Sequence, residues 1–514
     1  MARLRKVLSG LTFIIVIRDI KDSLYKLFRG FAFYDIVFLL SLQHPFFKGF
    51  TLLFFFKKIT YIIPDLLNPL IRKIKKHFID VRYFHSFHAF IIKEGRFYVN
   101  KKLISKIISI ILLQILSWLS AAYAQEGSGV QFNGYVEAEN KTYFKEVNPE
   151  HVDNGRNQMI FFLKSSAAPN EKVKLFSAIE IRDDEVNHAR NRVWLDEAYI
   201  DYEGESFDLR IGKQVYGWGK ADSINPTNNL NPVDYSDLLD TDEEEIGMTS
   251  LRGRYYLGNW TFEGAVIPVF EPSILPNYNS RWNLFPKALS ALPVQTREPS
   301  KEFQNIQYAG RVSSTFNGLD FSVSYYRGFE KFPSVFVKSN SVIMEYRSLQ
   351  VIGGDFAASF DKLGIRGEAG YFITDDFDGK IPEVSDPYLM YVLGLDYKFS
   401  NLIEEQDLYI LCQWIQTLPL PERDSLSESD LRYLFKRAVM LKADWSFTDY
   451  TKFSFQGIWR LHAEDIFLQP MLSSNLSDGL NLEVGADLLY GKEGSFFESF
   501  KDNQRIFARL KYSF

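Results

Sequence analysis

Hydrophobic and polar residues alternate with a period of two through most of residues 125–514. In the last stretch, RIFARLKYSF, apolar side chains from Ile506 to Phe514 fall on one face, while Arg505 and Arg509 fall on the other. The stretches VMLKADWSF, KFSFQGIWRLH and LNLEVGADLLY alternate in the same way. Such alternation predicts β-strands that have one apolar face and one polar face.

These segments hold about ten residues each, enough for a tilted strand to cross a bilayer, and their charged faces suit a water-filled interior. Short links rich in Gly, Pro, Asn and Asp predict tight turns. Longer links alternate with them, at 145–156, 184–191, 214–247, 269–303, 330–346, 374–386, 418–433 and 491–502. The expected fold is therefore all-β, an antiparallel transmembrane β-barrel from near Val130 to Phe514, with about 18 strands favoured and about 16 as the alternative.

Residues 101–125, KKLISKIISIILLQILSWLSAAYAQ, have the order of parts of a secretory signal peptide. Lysines lead into a short apolar run, and Ala122-Tyr123-Ala124 fits the small-x-small rule for cleavage. The run is shorter than the about 20 apolar residues that a transmembrane helix needs. We therefore expect a signal peptide at 99–124, cleaved before Gln125, with translation starting near Val99 at an alternative start codon.

The charge balance changes at the same place. Residues 1–100 carry 17 Lys and Arg against 6 Asp and Glu, whereas residues 125–514 carry 39 against 58. Charges interrupt each apolar run of residues 1–98 before it reaches the length of a membrane span. Three interpretations fit this segment: a membrane-associated extension, a long targeting extension, or translation assigned from a start codon too far upstream, which we favour. The barrel then comprises residues 125–514.

The chain ends in Phe514, and apolar or aromatic residues stand at alternating positions before it. This ending resembles the terminal strand signal of bacterial outer-membrane proteins. The resemblance implies that the outer-membrane insertion machinery of a Gram-negative bacterium recognises the last strand. It also implies that outer-membrane lipid and lipopolysaccharide surround the protein.

Residues 207–248 carry a narrower resemblance. Gly212-Lys213-Gln214 ends a strand, Trp218-Gly219 follows, and Asn231-Pro232-Val233-Asp234 lies in the next loop. This order resembles an uncharacterised bacterial outer-membrane porin family, although Lys213 stands where arginine is more usual. The strand end is also similar to alginate-export barrels. The resemblance implies a porin fold, and it implies no particular substrate.

The link at 214–247 is long and rich in Asn and Pro, which fix turns. Such a loop can fold inward and narrow a barrel, and the alternative is a surface loop shaped by its turns. The acidic run DTDEEE at 240–245 lacks the ligand spacing of a Ca²⁺ site, so we interpret it as a solvated loop. The candidates for lining or narrowing the pore are Arg210, Trp218, Lys220, Asp222, Asn225, Asp234, Lys442, Asp444, Arg460, Arg505 and Arg509.

Residues that could carry catalysis are few. The histidines after residue 124 are His151, His188 and His462, and none stands beside a serine-centred motif or at metal-ligand spacing. The single cysteine, Cys412, is expected to be a wall residue of a strand. We therefore expect no enzyme activity, no cofactor and no metal. The acidic charge and the lack of a phosphate-binding loop argue against nucleic-acid partners.

The expected function is a channel for passive passage of small or amphipathic solutes, narrowed or gated by the loop at 214–247. The acid excess favours cations, but the arginines and lysines on the inward faces leave the ion preference open. One alternative is a non-conducting barrel that serves as a receptor, adhesin or structural protein. The other is an outer-membrane hydrolase. The sequence also leaves the oligomeric state open.

Overall fold

A computed structural model describes residues 129–146, 155–184, 190–222, 224–240, 245–276, 280–285, 292–338, 340–378, 380–403, 406–420 and 434–514. The expected extension at 1–98 and the expected signal peptide at 99–124 lie outside these residues. His151 and His188 also lie outside them.

The described residues are mostly β-strand. The strands are β1 (Gln131–Tyr143), β2 (Gly155–Asn170), β3 (Val173–Asp184), β4 (Arg192–Glu203), β5 (Phe207–Gln214), β6 (Met248–Leu257), β7 (Trp260–Ile267), β8 (Val294–Arg297), β9 (Gln307–Phe316), β10 (Leu319–Phe329), β11 (Ser334–Lys338), β12 (Ser341–Glu345), β13 (Ser348–Phe360), β14 (Leu363–Thr374), β15 (Tyr388–Ile403), β16 (Gln406–Pro419), β17 (Arg437–Ser446), β18 (Thr451–Arg460), β19 (Asp465–Ser477), β20 (Leu480–Gly491) and β21 (Arg505–Ser513). The helical turns are α1 (Phe496–Ser499) and two 3₁₀ turns, Phe303–Asn305 and Lys501–Asn503. No helix in the described part of the chain is long and apolar enough to cross a membrane.

Eighteen strands form one closed antiparallel barrel, and β8, β11 and β12 lie outside it. The ring closes between β1 and β21, from Tyr135 opposite Ser513 to Tyr143 opposite Arg505. The prediction of an all-β barrel with 18 strands is confirmed. Because the ring is closed, the barrel has no free sheet edge.

The links between barrel strands are short at one end, here called the turn end, and mostly long at the other, called the loop end. At the turn end, β9 and β10 are joined by Asn317 and Gly318, both of which have positive φ values. At the loop end, residues 215–247 join β5 to β6, and residues 268–306 join β7 to β9. The expected loop at 269–303 therefore contains a strand, β8.

The barrel is apolar outside and polar inside. Phe207, Leu209 and Ile211 of β5 are exposed on the outer face. Arg210 lies on the inner face, where its Nε and Nη2 donate to the two carboxylate oxygens of Asp201 at 2.6 Å. An exposed apolar belt around a charged interior suits a barrel embedded in lipid.

β8, β11 and β12, which belong to links at the loop end, form a separate small sheet. Beside it, the rings of Phe270 and Tyr346 lie 5.0 Å apart. The ammonium of Lys331 lies 5.0 Å from the Phe270 ring and donates to Gln307 Oε1 at 2.9 Å. Burial lowers the pKa of Lys331 to about 7, although the nearby carboxylate of Glu271 opposes the shift.

Lys331→Met should remove a pH dependence of stability. The ordinary pKa of lysine is 10.5, so between pH 7 and that value the folded protein binds fewer protons than the unfolded chain, and stability rises with pH. Below about pH 7 both states are protonated and the cost of burying the charge is fully present. From pH 7 to 9, guanidinium unfolding should show the parent gaining about 1–3 kcal/mol relative to K331M. The exposed Lys338→Met is the control and should follow the parent, and parallel profiles for parent and K331M would contradict the assignment.

Gly212→Ala should destabilise the barrel by about 1–3 kcal/mol. Gly212 has a φ of +136°, and a Cβ there would overlap the carbonyl oxygen of Ala198 on β4. The matched control is Gly264→Ala, because a Cβ at Gly264 would meet open space. The control should change stability by less than about 0.5 kcal/mol. Urea unfolding in lipid vesicles measures both variants, and equal losses would argue against the close approach at Gly212.

Candidate functional site

Residues 215–247, here called the inner loop, leave the end of β5 and run inside the barrel. Two fully buried side chains fix its base to β6: Gln214 Nε2 and the Tyr216 hydroxyl donate to Ser250 Oγ at 3.0 and 2.8 Å. The Asn231 side chain accepts from the Tyr216 N–H at 3.0 Å and donates to the Tyr216 carbonyl at 2.6 Å. The loop therefore closes on itself before it extends across the barrel.

The first anchor across the interior is Glu368 on β14. Its carboxylate accepts hydrogen bonds from the backbone N–H groups of Lys220, Ala221 and Thr227 at 2.8, 3.1 and 2.7 Å. It also accepts from Thr227 Oγ1 at 2.7 Å. One buried carboxylate thus satisfies four donors of the loop, and charged acceptors make strong hydrogen bonds.

Asp222 extends this contact along the same wall. Its carboxylate pairs with Arg366 on β14 at 2.8 Å and accepts from Gln413 on β16 at 3.1 Å. In ring order β5 is the fifth of the eighteen strands, β14 the eleventh and β16 the thirteenth. The inner loop therefore reaches from its own strand to a distant part of the wall.

The second anchor joins the later part of the inner loop to β1 and β21. Asp237, whose side chain is fully buried, pairs with Arg505 at 2.7 Å and with Lys141 at 3.4 Å. Asp240 pairs with the same Lys141 at 3.0 Å. Arg190 lies 3.8 Å from Asp237. Buried charges need such partners, so these acids hold the loop against the wall.

Asp234 forms a third contact, 2.7 Å from Arg192 at the start of β4. Burial raises the pKa of Asp234, but hydrogen bonds from Ser236 and the charges of Arg192 and Arg190 outweigh burial, so its pKa lies below the ordinary value. The aspartate is therefore ionised at neutral pH, and its charge supports the ion pair.

The link at 268–306 also places a side chain, Trp282, inside the barrel. Trp282 from this link is buried and forms an apolar cluster with Leu239 of the inner loop and with Phe467, Leu489 and Phe497. The guanidinium of Arg505 lies 5.6 Å from the Trp282 ring. The two loops therefore pack against each other and against β19 and β20.

A cavity of about 200 Å³ remains beside the inner loop. It is bounded by β1 and β17 to β21 and by residues 239 and 240 of the loop. The lining residues are Glu139, Lys141, Leu239, Asp240, Lys442, Asp444, Lys452, Ser454, Phe455, Gln456, Gln469, Met471, Glu483, Asp487, Arg505, Phe507 and Arg509. The wall is dominated by charged and polar groups, which favour hydration over dense packing.

Four of the candidate residues line this cavity: Lys442, Asp444, Arg505 and Arg509. The loop candidates instead hold the inner loop in place. The backbone N–H of Lys220 binds Glu368 on β14, and Asp222 pairs with Arg366 on the same strand. Asp234 pairs with Arg192 of β4. The Asn225 carbonyl accepts from the Asn228 N–H at 3.1 Å and closes a turn. Their expected role in selecting a solute stays a prediction.

Three further candidates lie outside the cavity wall and are bonded within the barrel, and their expected role in lining or narrowing the pore stays a prediction. Arg460 is fully buried and is bound by the Asp465 carboxylate at 2.7 and 2.5 Å. Arg210 is held by Asp201 and is absent from the cavity wall. Trp218 is buried and donates through its indole to Glu263 at 2.8 Å. Each side chain is occupied by structural bonding.

Sequence reasoning missed Glu139 and Lys141 of β1 and Asp237 and Asp240 of the inner loop. The first pair could have been found, because they stand at alternating positions of β1. Asp240 was interpreted as part of a solvated acidic run, but its side chain is only 15% exposed and is ion-paired. Residues 241–244 of that run lie outside the described chain.

His462, the remaining candidate for catalysis, lies in the link between β18 and β19 and not in the cavity wall. Within the described residues, no group of three or more His, Cys, Asp or Glu side chains could hold a metal ion. Cys412 is exposed on the outside of β16.

The sequence model of a family described as a protein of unknown function, DUF1302, matches residues 128–372. The match contains the segment 207–248, and it spans slightly less than half of the chain. No curated protein matches the chain.

Solved structures with a similar arrangement share little sequence with this chain. One is a loop-deletion mutant of OmpT, an outer membrane protein of Vibrio cholerae, with 9% identity and a TM-score of 0.38 over 76% of this chain and all of that one. Another is a mutant of the Rh. blastica porin, with 11% identity and a TM-score of 0.37 over 75% of this chain and all of that one. The similarity is loose, and the architecture described above follows from the strand pairing itself.

Asp237→Asn should loosen the inner loop. The substitution keeps the shape of the side chain but removes the charge that faces Arg505 and Lys141, so we expect a loss of about 1.5–3 kcal/mol in guanidinium unfolding and faster proteolysis within residues 215–247. The control is Asp502→Asn, because Asp502 pairs with the exposed Lys145 at 2.8 Å and such pairs contribute less than about 1 kcal/mol. If both variants resist protease like the parent, Asp237 is not an anchor.

Proposed function

We propose that the protein is an outer-membrane channel that passes small or amphipathic solutes by diffusion, and that the inner loop narrows its interior. The observation that carries the proposal is the course of this loop within a closed barrel. It is bound to Glu368 on the eleventh strand and to Arg505 on the eighteenth. A loop held between distant parts of the wall reduces the open cross-section of the barrel.

The chemistry of the interior supports passage of water and polar solutes. Charged residues on β17, β20 and β21 face a cavity beside the loop, and charged walls favour hydration over dense packing. Export through the signal peptide at 99–124, and recognition of the strand ending at Phe514 by the insertion machinery, belong to the same proposal.

A second candidate is a non-conducting barrel that acts as a receptor, adhesin or structural protein. The packing of Trp282 against Leu239, Phe467 and Phe497 favours it, because this apolar cluster fills part of the interior where a passage would otherwise run. Conductance separates the two candidates directly.

The purified protein in planar bilayers should give steady single-channel currents. Glu368→Ala removes the acceptor of four loop hydrogen bonds, which weakens the anchor by at least about 3 kcal/mol. The loop should then leave the wall, and the single-channel conductance should rise with more frequent transitions between levels.

The control for this experiment is Glu203→Gln at the turn end, where Glu203 pairs with the exposed Lys174 and does not contact the loop. It should conduct like the parent. A parent protein that inserts but never conducts would refute the channel. If the parent conducts and E368A gives the same currents, the channel function is supported and the role of the loop in narrowing it is refuted.

A further inference from the structure

We propose that the cavity beside the inner loop binds small organic anions. The carboxylate of such an anion would be bound by Lys442 or Lys452, and its apolar portion would lie against Leu239, Met471 and Phe507. This inference rests on the proposed channel function and names the class of solute that the channel would favour.

The arginines of the cavity have little charge to offer, because carboxylates already enclose them. Arg505 lies 2.5 Å from Asp487 and 2.7 Å from Asp237, and its side chain is only 1% exposed. Arg509 lies in the same way between carboxylates of β1 and β20, each at 3.2 Å. A solute in the cavity therefore meets these arginines as closed ion pairs and not as free positive charges.

The same pairing occupies the acids of that wall. Glu139 is shared between Arg509 and Lys141, and Asp240 lies 3.0 Å from Lys141. Glu139 and Asp487 are each only 1% exposed. The bases that bind these carboxylates thus offset part of the repulsion that the carboxylates exert on an anion.

The opposite wall, made by β17 and β18, differs because its lysines are less closely paired with carboxylates. The nearest carboxylate to the Lys442 ammonium is Asp444, at 3.9 Å, and the Lys442 side chain is 38% exposed. Lys452 makes no ion pair with any residue in the described part of the chain. These two lysines are the accessible, weakly compensated charges of the cavity, and ammonium groups on flexible stems can adjust to a carboxylate.

The rest of the lining suits an anion that also carries an apolar group. Leu239, Met471 and Phe507 supply apolar surface, and Ser454 and Gln456 supply neutral hydrogen-bonding groups. Sites of this kind bind through apolar contact and are oriented by a few polar groups. A cavity of about 200 Å³ has room for a molecule with one aromatic ring or a short chain.

Three probes that share one ring and differ in charge test this inference: benzoate, benzyl alcohol and benzylamine. Calorimetric titration of the detergent-solubilised protein should show binding of benzoate well above that of the other two. In planar bilayers, benzoate should reduce the single-channel current reversibly. The double variant K442Q/K452Q should weaken benzoate binding by about tenfold or more, and each single variant should weaken it less.

The matched control is Lys398→Gln, which removes one positive charge at the turn end, where Lys398 pairs with Asp407 at 2.8 Å outside the cavity. It should bind benzoate like the parent. Equal binding of benzyl alcohol, preferential binding of benzylamine, or an unchanged double variant that folds normally would each overturn the inference. If the protein conducts but does not bind benzoate, the anion site is refuted and the channel function is not. If it binds benzoate but does not conduct, the channel function is refuted and the anion site is not.

Discussion

The hydrogen-bonded pairing of β1 with β21 is the constraint on which the rest of the structure depends. A strand in lipid cannot leave its backbone groups unpaired, so the sheet is stable there only as a closed ring. The register of this last pair also fixes which residues of β1 and β21 face the interior together, because a slip of one residue would turn the side chains of the slipped strand to the opposite face. The same register places Arg509 of β21 opposite Glu139 of β1. Closure of the ring therefore also brings together the charges of β1 and β21.

A ring of this size cannot be filled by the side chains of its own wall, and the inner loop occupies part of the space. Wall and loop are complementary in charge. The wall provides the Glu368 carboxylate to backbone N–H groups of the loop, and the loop provides Asp237 to Arg505 and Lys141 of the wall. Each side satisfies groups that would be costly to bury alone. The position of the loop is thus a consequence of electrostatic compensation as well as of turn geometry.

The sequence was sufficient to predict the barrel and much of its wall, because the period of two depends only on neighbouring residues. The outward face of β5 and the inward direction of Arg505 and Arg509 follow from it directly. The partners of the inner loop could not be predicted, because Glu368 lies more than a hundred residues along the chain from the N–H groups that donate hydrogen bonds to it. For the same reason the alternation placed Arg460 inside but could not show that Asp465 and aromatic rings enclose it. Asp240 was misjudged because a run of acids looks solvated until its counter-charges are known.

These contacts explain what the motif residues of the segment 207–248 do in the structure. Gly212 allows β5 to approach β4 closely, and Gly219, at a φ of +94°, leaves room for the Glu368 carboxylate against the loop backbone. Asn231 ties the loop to itself through Tyr216, and Asp234 pairs with Arg192. The residues that form the motif therefore specify how the loop leaves its strand and where it crosses the barrel. Most of the groups that face the cavity come from other strands, so two barrels with the same motif can share a loop course and still differ in the chemistry of the cavity.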